Sequence, residues 1–157
     1  MRRVLLTVHI AREGAPAIAA GFARALHDAG IEVRVLDSEV AALEAAGAQY
    51  LVAVPGEVGA AADCELAVVF GGDGTILRAA ELCRGTRTPV LGVNLGHVGF
   101  LAEADEEDLA DVAKAVIAGG LKVEERLTVD VSVITNGEVV ATNWALNEAS
   151  VEKASRE

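Results

Sequence analysis

Apolar residues along this chain form short continuous runs that alternate with stretches in which they recur every three or four positions. Val4–Ile10 is apolar and rich in residues typical of β-strands, which predicts a first strand. Ala15–Ala29 carries apolar residues at every fourth position, which predicts a helix with one buried stripe. Gly30 follows at the position where glycine commonly ends a helix.

The same alternation of strand and helix continues through the middle of the chain. Ser38 is expected to cap a short helix, and the last predicted helix is amphipathic and ends before a pair of glycines. Strands are predicted at Ile31–Leu36, Leu66–Phe70 and Pro89–Val93, and helices at Ser38–Ala46, Thr75–Cys83 and Glu106–Ala118. This order predicts an α/β fold with a doubly wound parallel sheet.

The pattern changes near Leu121. Two β-rich runs there flank Asn136-Gly137, a dipeptide typical of a type I′ hairpin turn. We therefore predict two domains, an α/β domain at residues 1–122 and, at 123–157, the first strands of a truncated, β-rich second domain. A two-residue turn pairs Thr135 with Glu138, and hence Val133 with Val140 and Val129 with Trp144. These pairs share one face of the hairpin, which the last two make apolar.

Composition and charge narrow the class of protein. Hydrophobic residues make up 52% of the 157 residues and aromatic residues only 3%, so the core is built from aliphatic side chains, as in parallel sheets covered on both faces. The formal net charge of −11 and the lack of a basic face argue against a nucleic-acid partner. An acidic protein that binds phosphates must do so with local amide groups, arginine or a metal ion.

Cysteine usage and hydropathy indicate the compartment. Cys64 and Cys83 have no spacing typical of metal ligands, and they are expected to be small buried residues in a reducing environment. The sequence contains no run of about 18 apolar residues, so no membrane span is expected. We therefore expect a cytoplasmic protein with no membrane partner.

The segment Gly71-Gly72-Asp73-Gly74-Thr75 is the strongest candidate for chemistry. It lies between a buried strand and a helix N-terminus, where glycines let backbone amides turn toward a phosphate and Thr75 is expected to cap the helix. Gly71, Gly72 and Thr75 are the candidate phosphate-binding residues. Asp73 has the reach to orient a sugar hydroxyl and to take its proton late in a phosphoryl transfer. The alternative is an ordinary tight turn with an Asp-Gly step.

Arg78, one turn into the same helix, is a nearby cation that can reach the same phosphates. The alternative is a surface ion pair with Glu81, three residues further on. The sequence leaves both interpretations of this arginine open.

Three stretches together resemble the NAD kinases. They are GGDGT at residues 71–75, NLGHVGFL at 94–101 and ALNEASVEK at 145–153. The first is shared with diacylglycerol kinases, sphingosine kinases and, loosely, phosphofructokinases, whereas the second and third make the resemblance specific. The match in order and separation extends over essentially the whole chain.

The resemblance implies transfer of a phosphoryl group from ATP or polyphosphate to the 2′-hydroxyl of the adenosine ribose of NAD, giving NADP, with a divalent metal such as Mg²⁺. It implies that Asp73 is the proton acceptor and that Gly74 lies beside it in the NAD site. Substrate contacts are implied for Arg78, Asn94, Phe100, Asn147 and Glu148, with Gly96 shaping the adenine wall. Members of that family are longer, and their second domain supplies much of the NAD pocket and the contacts of a homo-oligomer.

Several of these residues also have purely structural alternatives. Phe100 is equally consistent with the core, Asn94 and Gly96 with a turn after a strand, and the Asn147-Glu148 pair with an ordinary strand end. Two other functions stay open as well: a lipid or other small-molecule kinase that shares only the glycine bend, and a noncatalytic nucleotide-binding fragment.

Overall fold

The computed structural model describes residues 1–95, 104–105, 108–146 and 148–152. The chain forms two compact units, Met1–Lys122 and Val123–Glu157. The boundary between them coincides with the change in sequence pattern near Leu121.

The first unit is built around a six-stranded sheet in which every pairing is parallel. The strands lie in the order β3-β2-β1-β4-β5-β6. In chain order the elements are β1 (Arg3–Val8), α1 (Ala15–Asp28), β2 (Glu32–Leu36), α2 (Asp37–Ala45), β3 (Leu51–Val54), β4 (Leu66–Phe70), α3 (Asp73–Leu82), β5 (Val90–Asn94), β6 (Ala104–Asp105) and α4 (Leu109–Ala118). The predicted α/β fold with a parallel sheet is confirmed.

Helices cover both faces of this sheet. Side chains of α1, α2 and α4 pack with Val4, Leu6 and Val8 of β1 in the largest apolar cluster. Leu5, which lies between them in the strand, packs on the opposite face in a cluster that includes residues of α3. Because both faces are buried, β4 is a continuous apolar run and Val4–Val8 of β1 is interrupted only by the buried Thr7, as expected for the central strands of a doubly wound sheet.

The order of the strands reverses between β1 and β4. From β1 the chain proceeds outward to β2 and β3, and from β4 it proceeds in the other direction to β5 and β6. The carboxyl ends of β1 and β4 lie side by side, with the N–H group of His9 donating to the carbonyl oxygen of Phe70 at 2.9 Å. In open α/β sheets, ligands bind in the crevice at this switch point.

The C-terminus of α1 confirms the role predicted for Gly30. Gly30 has a φ of 77°, and its N–H group donates to the carbonyl of His27 at 2.8 Å. The next N–H group, that of Ile31, donates to Leu26 at 3.0 Å. These two hydrogen bonds form a Schellman motif, which requires a left-handed residue that glycine supplies without steric cost.

The predicted start of α2 is wrong, and two short strands, β3 and β6, are missing from the prediction. α2 begins at Asp37, so Ser38 lies inside the first turn, where its N–H group donates to the Asp37 carboxylate at 2.7 Å. β3 was not predicted, because four residues at a half-exposed sheet edge lack both the length and the alternation of the other strands.

The second unit contains an antiparallel hairpin of β7 (Val129–Thr135) and β8 (Glu138–Ala145). Asn136 and Gly137 both have positive φ values, 52° and 85°, as a type I′ turn requires, and the predicted hairpin is confirmed.

The predicted pairing beyond the turn is wrong. Thr135 does lie opposite Glu138, but the register shifts between Ile134 and Val133, so that Val133 lies opposite Ala141. Val129 accordingly pairs with Ala145 and Trp144 with Asp130. One extra residue in β8, Val140, is enough to move every later side chain of that strand to the other face.

Candidate functional site

The bend after β4 is held together by a close approach between its first and last residues. A β-carbon built on Gly71 would lie 2.5 Å from Oγ1 and 2.7 Å from Cβ of Thr75, distances that real side chains do not tolerate. The N–H group of Gly71 donates to the carbonyl oxygen of Val93 at 3.2 Å, which ties the bend to β5. Gly71 is therefore glycine because Thr75 packs against it.

The other two glycines of the bend have no such neighbour. A β-carbon at Gly72 or Gly74 would have no heavy atom of the described residues within 4 Å, apart from the adjoining chain. Gly72 has a φ of −91°, a conformation open to any residue. Neither packing nor backbone conformation accounts for these two glycines, whereas both leave the first amides of α3 accessible from outside.

Asp73 is the first residue of α3 and is half-buried. Gly72 is the N-cap, and its carbonyl accepts hydrogen bonds from the N–H groups of Thr75 at 2.9 Å and Ile76 at 3.1 Å. The prediction that Thr75 caps the helix is therefore wrong: Thr75 lies inside the first turn. An acid in the first turn interacts favourably with the helix dipole, and the amides at the start of a helix suit an anion.

Asn94 and Arg12 lie at the same edge of the sheet as the bend. Asn94 ends β5 and is only 4% exposed, one residue after the Val93 carbonyl that binds Gly71. Arg12, in the loop after β1, donates from Nη2 to the carbonyl oxygen of Leu95. The fold thus brings a second arginine to this edge. In the sequence, only the position of Arg12 just after the first strand indicates that it lies at this edge.

A buried acid lies close by and was not predicted. Glu39, in the first turn of α2, is 7% exposed, and its Oε2 accepts a hydrogen bond from the N–H group of Val8 at 3.1 Å. Burial raises the pKa of Glu39 to about 7, against the opposing effects of the Val8 N–H group and the positive charge of Arg78. Sequence reasoning could not detect this burial, because α2 has no marked apolar stripe.

Arg78 is an exposed residue of α3 whose guanidinium extends toward the loop after β3. Its Nη2 would lie 3.6 Å from a β-carbon built on Gly56, and Cδ1 of Leu36 would lie 3.9 Å from the same point. Glu81, the alternative partner considered for Arg78, forms an ion pair with Arg84 at 3.8 Å. Arg78 therefore extends over the edge of the sheet toward the start of α2.

The remaining candidate residues are distributed differently. Phe100, Gly96 and Asn147 lie outside the described residues. Glu148 is described and exposed, and it belongs to the second unit. The proposed contacts of these residues with a nucleotide stay predictions.

The cysteines are placed as expected. Cys64 and Cys83 are buried free thiols in the same apolar cluster. Burial, together with the neighbouring Cys64, raises the pKa of Cys83 to about 11, which leaves the thiol protonated and unreactive.

Neither a cluster of metal ligands nor a membrane-spanning helix is found in the described part of the chain. Within residues 1–95, 104–105, 108–146 and 148–152, no group of three or more His, Cys, Asp or Glu side chains could hold a metal ion. In those same ranges, no helix has the length and hydropathy needed to cross a membrane.

The sheet order, the switch point and the glycine bend together define an open, doubly wound α/β domain, a class of proteins in which ligands bind at the carboxyl ends of the strands. Residues 4–121 match the family model of the ATP-NAD kinase N-terminal domain. The chain belongs to this family, which confirms the resemblance carried by the three sequence motifs.

Known proteins agree with this assignment. The chain is 48% identical over 159 residues to NAD kinase 2 of Streptomyces coelicolor, covering 100% of this chain and 52% of that protein. It therefore spans about half the length of the curated relatives that it matches.

Two solved structures share its fold. One is yeast NADH kinase complexed with NADH, with a TM-score of 0.72, 21% identity, and coverage of 94% of this chain and 47% of that one. The other is an Archaeoglobus fulgidus NAD kinase in complex with ATP, with a TM-score of 0.50, 20% identity, and coverage of 88% and 45%.

Proposed function

We propose that the protein to which this chain belongs is an NAD kinase, which transfers a phosphoryl group from ATP or polyphosphate to the 2′-hydroxyl of the adenosine ribose of NAD. The observation that carries the proposal is the Gly71–Thr75 bend at the switch point of a domain that matches the ATP-NAD kinase family over residues 4–121. The same match disfavours a lipid kinase that shares only this bend.

Asp73 is the proposed catalytic residue. From the first turn of α3 its carboxylate orients the ribose hydroxyl toward the donor phosphate and accepts the proton as the new P–O bond forms. Aspartate is a weak base for an alcohol, but in a loose transition state the proton leaves late, so positioning matters more than basicity.

The donor phosphates are proposed to lie against the start of α3. Gly72 and Gly74 leave the amide groups there accessible, and the helix dipole favours an anion at this end. Gly71 and Thr75 shape the bend by packing on each other, while Arg78 and Arg12 supply positive charge. Because the net charge of the chain is −11, these local groups must attract the phosphates.

A magnesium ion fits this site as an ion carried by the donor. Mg²⁺ usually keeps several waters and binds substrate phosphates directly, so the donor phosphates would hold it and a dedicated cluster of protein ligands is unnecessary. When bound, it neutralises charge on the transferred phosphoryl group.

The NAD end of the site is proposed from the resemblance. Asn147 and Glu148 bind the adenosine hydroxyls, since an amide both donates and accepts and a carboxylate accepts from paired hydroxyls. Phe100 packs on the adenine, beside Asn94 and Gly96. We also infer that residues 123–157 begin a β-rich C-terminal domain and that the complete protein is a cytoplasmic homo-oligomer.

The test is an assay of NADP formation from NAD, ATP and Mg²⁺, run on this chain and on a form extended through the downstream reading frame. NADP formed only by the extended form supports the proposal and shows that the second half is needed. NADP formed by neither form contradicts it. Polyphosphate in place of ATP then determines the donor.

Within an active form, Asp73→Asn is expected to lower kcat at least a hundredfold while leaving the fold and most NAD binding intact, because the amide keeps the shape but cannot accept the proton. Asp28→Asn, an exposed acid at the end of α1, is the matched control and is expected to match the wild type. Turnover that is unchanged by Asp73→Asn would remove Asp73 from its assigned role.

A further inference from the structure

The loop after β1 holds the backbone of Arg12 on both sides. His9, the first residue after the strand, donates its N–H group to the carbonyl oxygen of Phe70 in β4 at 2.9 Å. The carbonyl of His9 accepts from the N–H group of Arg12 at 2.9 Å. The carbonyl of Arg12 accepts in turn from Ala15, the first residue of α1, at 3.3 Å. The Arg12 side chain therefore starts from a point that is tied both to the sheet and to a helix.

The carbonyl group that this side chain reaches lies beyond the last residue pair of β4 and β5. Phe70 opposite Val93 ends that pairing, because the chain after Phe70 leaves the sheet in the glycine bend. Leu95 is 5% exposed and packs in the largest apolar cluster, so its carbonyl group needs a donor from the protein. Nη2 of Arg12 is that donor.

This hydrogen bond connects two strands that are not neighbours. At about 4.8 Å between adjacent strands, β1 and β5 are about 10 Å apart, with β4 between them. A long side chain with its donors at the far end is needed to join them. Arg12 thus links the loop after β1 to the residue after β5, at the end of the sheet where the bend begins.

Asn94 lies between two residues whose carbonyl groups are both bound. On one side, the carbonyl of Val93 accepts from the N–H group of Gly71 in the bend at 3.2 Å. On the other side, the carbonyl of Leu95 accepts from Arg12. Asn94 is itself only 4% exposed. The position of Asn94 is therefore fixed by the bend and by Arg12 together.

A hydrogen bond to a neutral carbonyl does not by itself require a positive charge. Arg12 forms no ion pair with any other residue that the structure describes. Its charge is the property that the proposed function uses for the donor phosphates, whereas its hydrogen bond acts on the end of β5. Arg12 therefore has two separate properties that act on different parts of the site.

We propose that Arg12 is a positioning residue for NAD: by binding the carbonyl of Leu95 it fixes the end of β5 and holds Asn94 in place for the acceptor. The inference rests on the proposed function, in which Asn94 belongs to the NAD site. A strand end that is ordered before the substrate arrives removes an entropy cost that binding would otherwise include. This role is distinct from the charge that Arg12 supplies to the donor.

The variant Arg12→Lys separates the hydrogen bond from the charge. Lysine keeps the positive charge, but its side chain ends one bond earlier and lacks the planar fork of donors. In the extended form, we expect Arg12→Lys to raise the KM for NAD about tenfold, while the KM for ATP stays within about twofold of the wild type. Arg12→Ala loses both properties and is expected to raise both KM values.

Arg24 provides the matched control. It is an exposed arginine of α1 whose Nη2 also donates to a backbone carbonyl, that of Gly47, at 3.2 Å. Arg24→Lys is expected to leave both KM values as in the wild type. An unchanged KM for NAD in Arg12→Lys, or equal increases in the KM for NAD and the KM for ATP, would overturn the inference.

A double variant tests whether the effect passes through Asn94. In an Asn94→Ala background, Arg12→Lys is expected to raise the KM for NAD no further, because the residue to be positioned is gone. If the two substitutions instead raise this KM independently, so that their effects add in free energy, Arg12 does not act through Asn94 and the inference is wrong.

A measurement on this chain itself does not depend on the activity. Loss of the hydrogen bond is expected to shift the NMR resonance of the Leu95 carbonyl carbon in Arg12→Lys, whereas Arg24→Lys leaves it in place. An unshifted Leu95 resonance overturns the positioning role whether or not the extended form is active. If the resonance shifts but the extended wild type makes no NADP, the proposed function fails, while Arg12 still holds the end of β5.

Discussion

Individual residues of the bend owe their identity to different forces. Position 71 requires glycine because the Thr75 side chain occupies the space where a β-carbon would be. Gly72 is open on that side and has an ordinary φ. Gly71 therefore contributes to stability, whereas Gly72, by our proposal, keeps the start of α3 accessible to the donor phosphates.

The pair Gly71→Ala and Gly72→Ala tests this distinction. Gly71→Ala must displace Thr75 and is expected to cost about 1–3 kcal/mol in the free energy of unfolding, as overpacking does. Gly72→Ala is expected to change that free energy by no more than about 0.5 kcal/mol. Urea unfolding of both variants gives the measurement, and equal losses for the two would contradict the packing argument.

Glu39 gives the stability of the protein a pH dependence of unusual sign for an acid. Its pKa in the folded state is about 7, against 4.5 for an ordinary glutamate, so the folded state binds the proton more tightly. Its contribution to stability is therefore fully present below about pH 4.5 and is lost as the pH rises through 7.

We expect Glu39→Gln to remove the loss of stability that Glu39 causes as the pH rises. Relative to the wild type, the variant should gain up to about 3 kcal/mol in the free energy of unfolding between pH 5 and pH 8. Urea unfolding at a series of pH values measures the difference, with Glu44→Gln as the control. A stability difference that does not change over this range would show that Glu39 is not a buried, weakly ionised acid.

At the scale of elements, the long patterned segments were predictable and the short or interrupted ones were not. α1 and β4 follow from apolar spacing, because one stripe or one continuous run must be buried. The turn at Asn136-Gly137 follows from the positive φ values that these residues tolerate. The bulge at Val140 does not follow, since both faces of β8 are largely exposed and an apolar pattern fixes the register only where a face is buried.

The turn of this hairpin offers a direct test at the same scale. Gly137→Ala places a β-carbon on a residue with a φ of 85° and is expected to cost the hairpin about 1 kcal/mol. NMR contacts across the strands, between Thr135 and Glu138, should weaken. Asn136→Gly keeps the positive φ and should preserve them. Undiminished contacts in Gly137→Ala would mean that the turn does not direct the pairing.

At the scale of the whole first unit, parallel topology assembles the candidate site. Arg12, Glu39, Asp73 and Asn94 are far apart in the sequence, yet each follows or ends a strand of the same sheet. Parallel strands end at one edge, so the groups that follow them converge there. The hydrogen bonds from His9 to Phe70 and from Gly71 to Val93 fix the ends of β1, β4 and β5 relative to one another.

By itself, the sequence determined the α/β class, the glycine bend and the family, and it predicted Asp73 as the catalytic residue, because these follow from local spacing and from contiguous motifs. Only the tertiary structure decided which glycine is required for packing, where the hairpin shifts register, and that Arg12 and Glu39 lie at the edge where Arg78 and the bend meet. Those properties depend on which surfaces face each other after folding. Residues that are distant in the chain form no local sequence pattern from which their contact could be predicted.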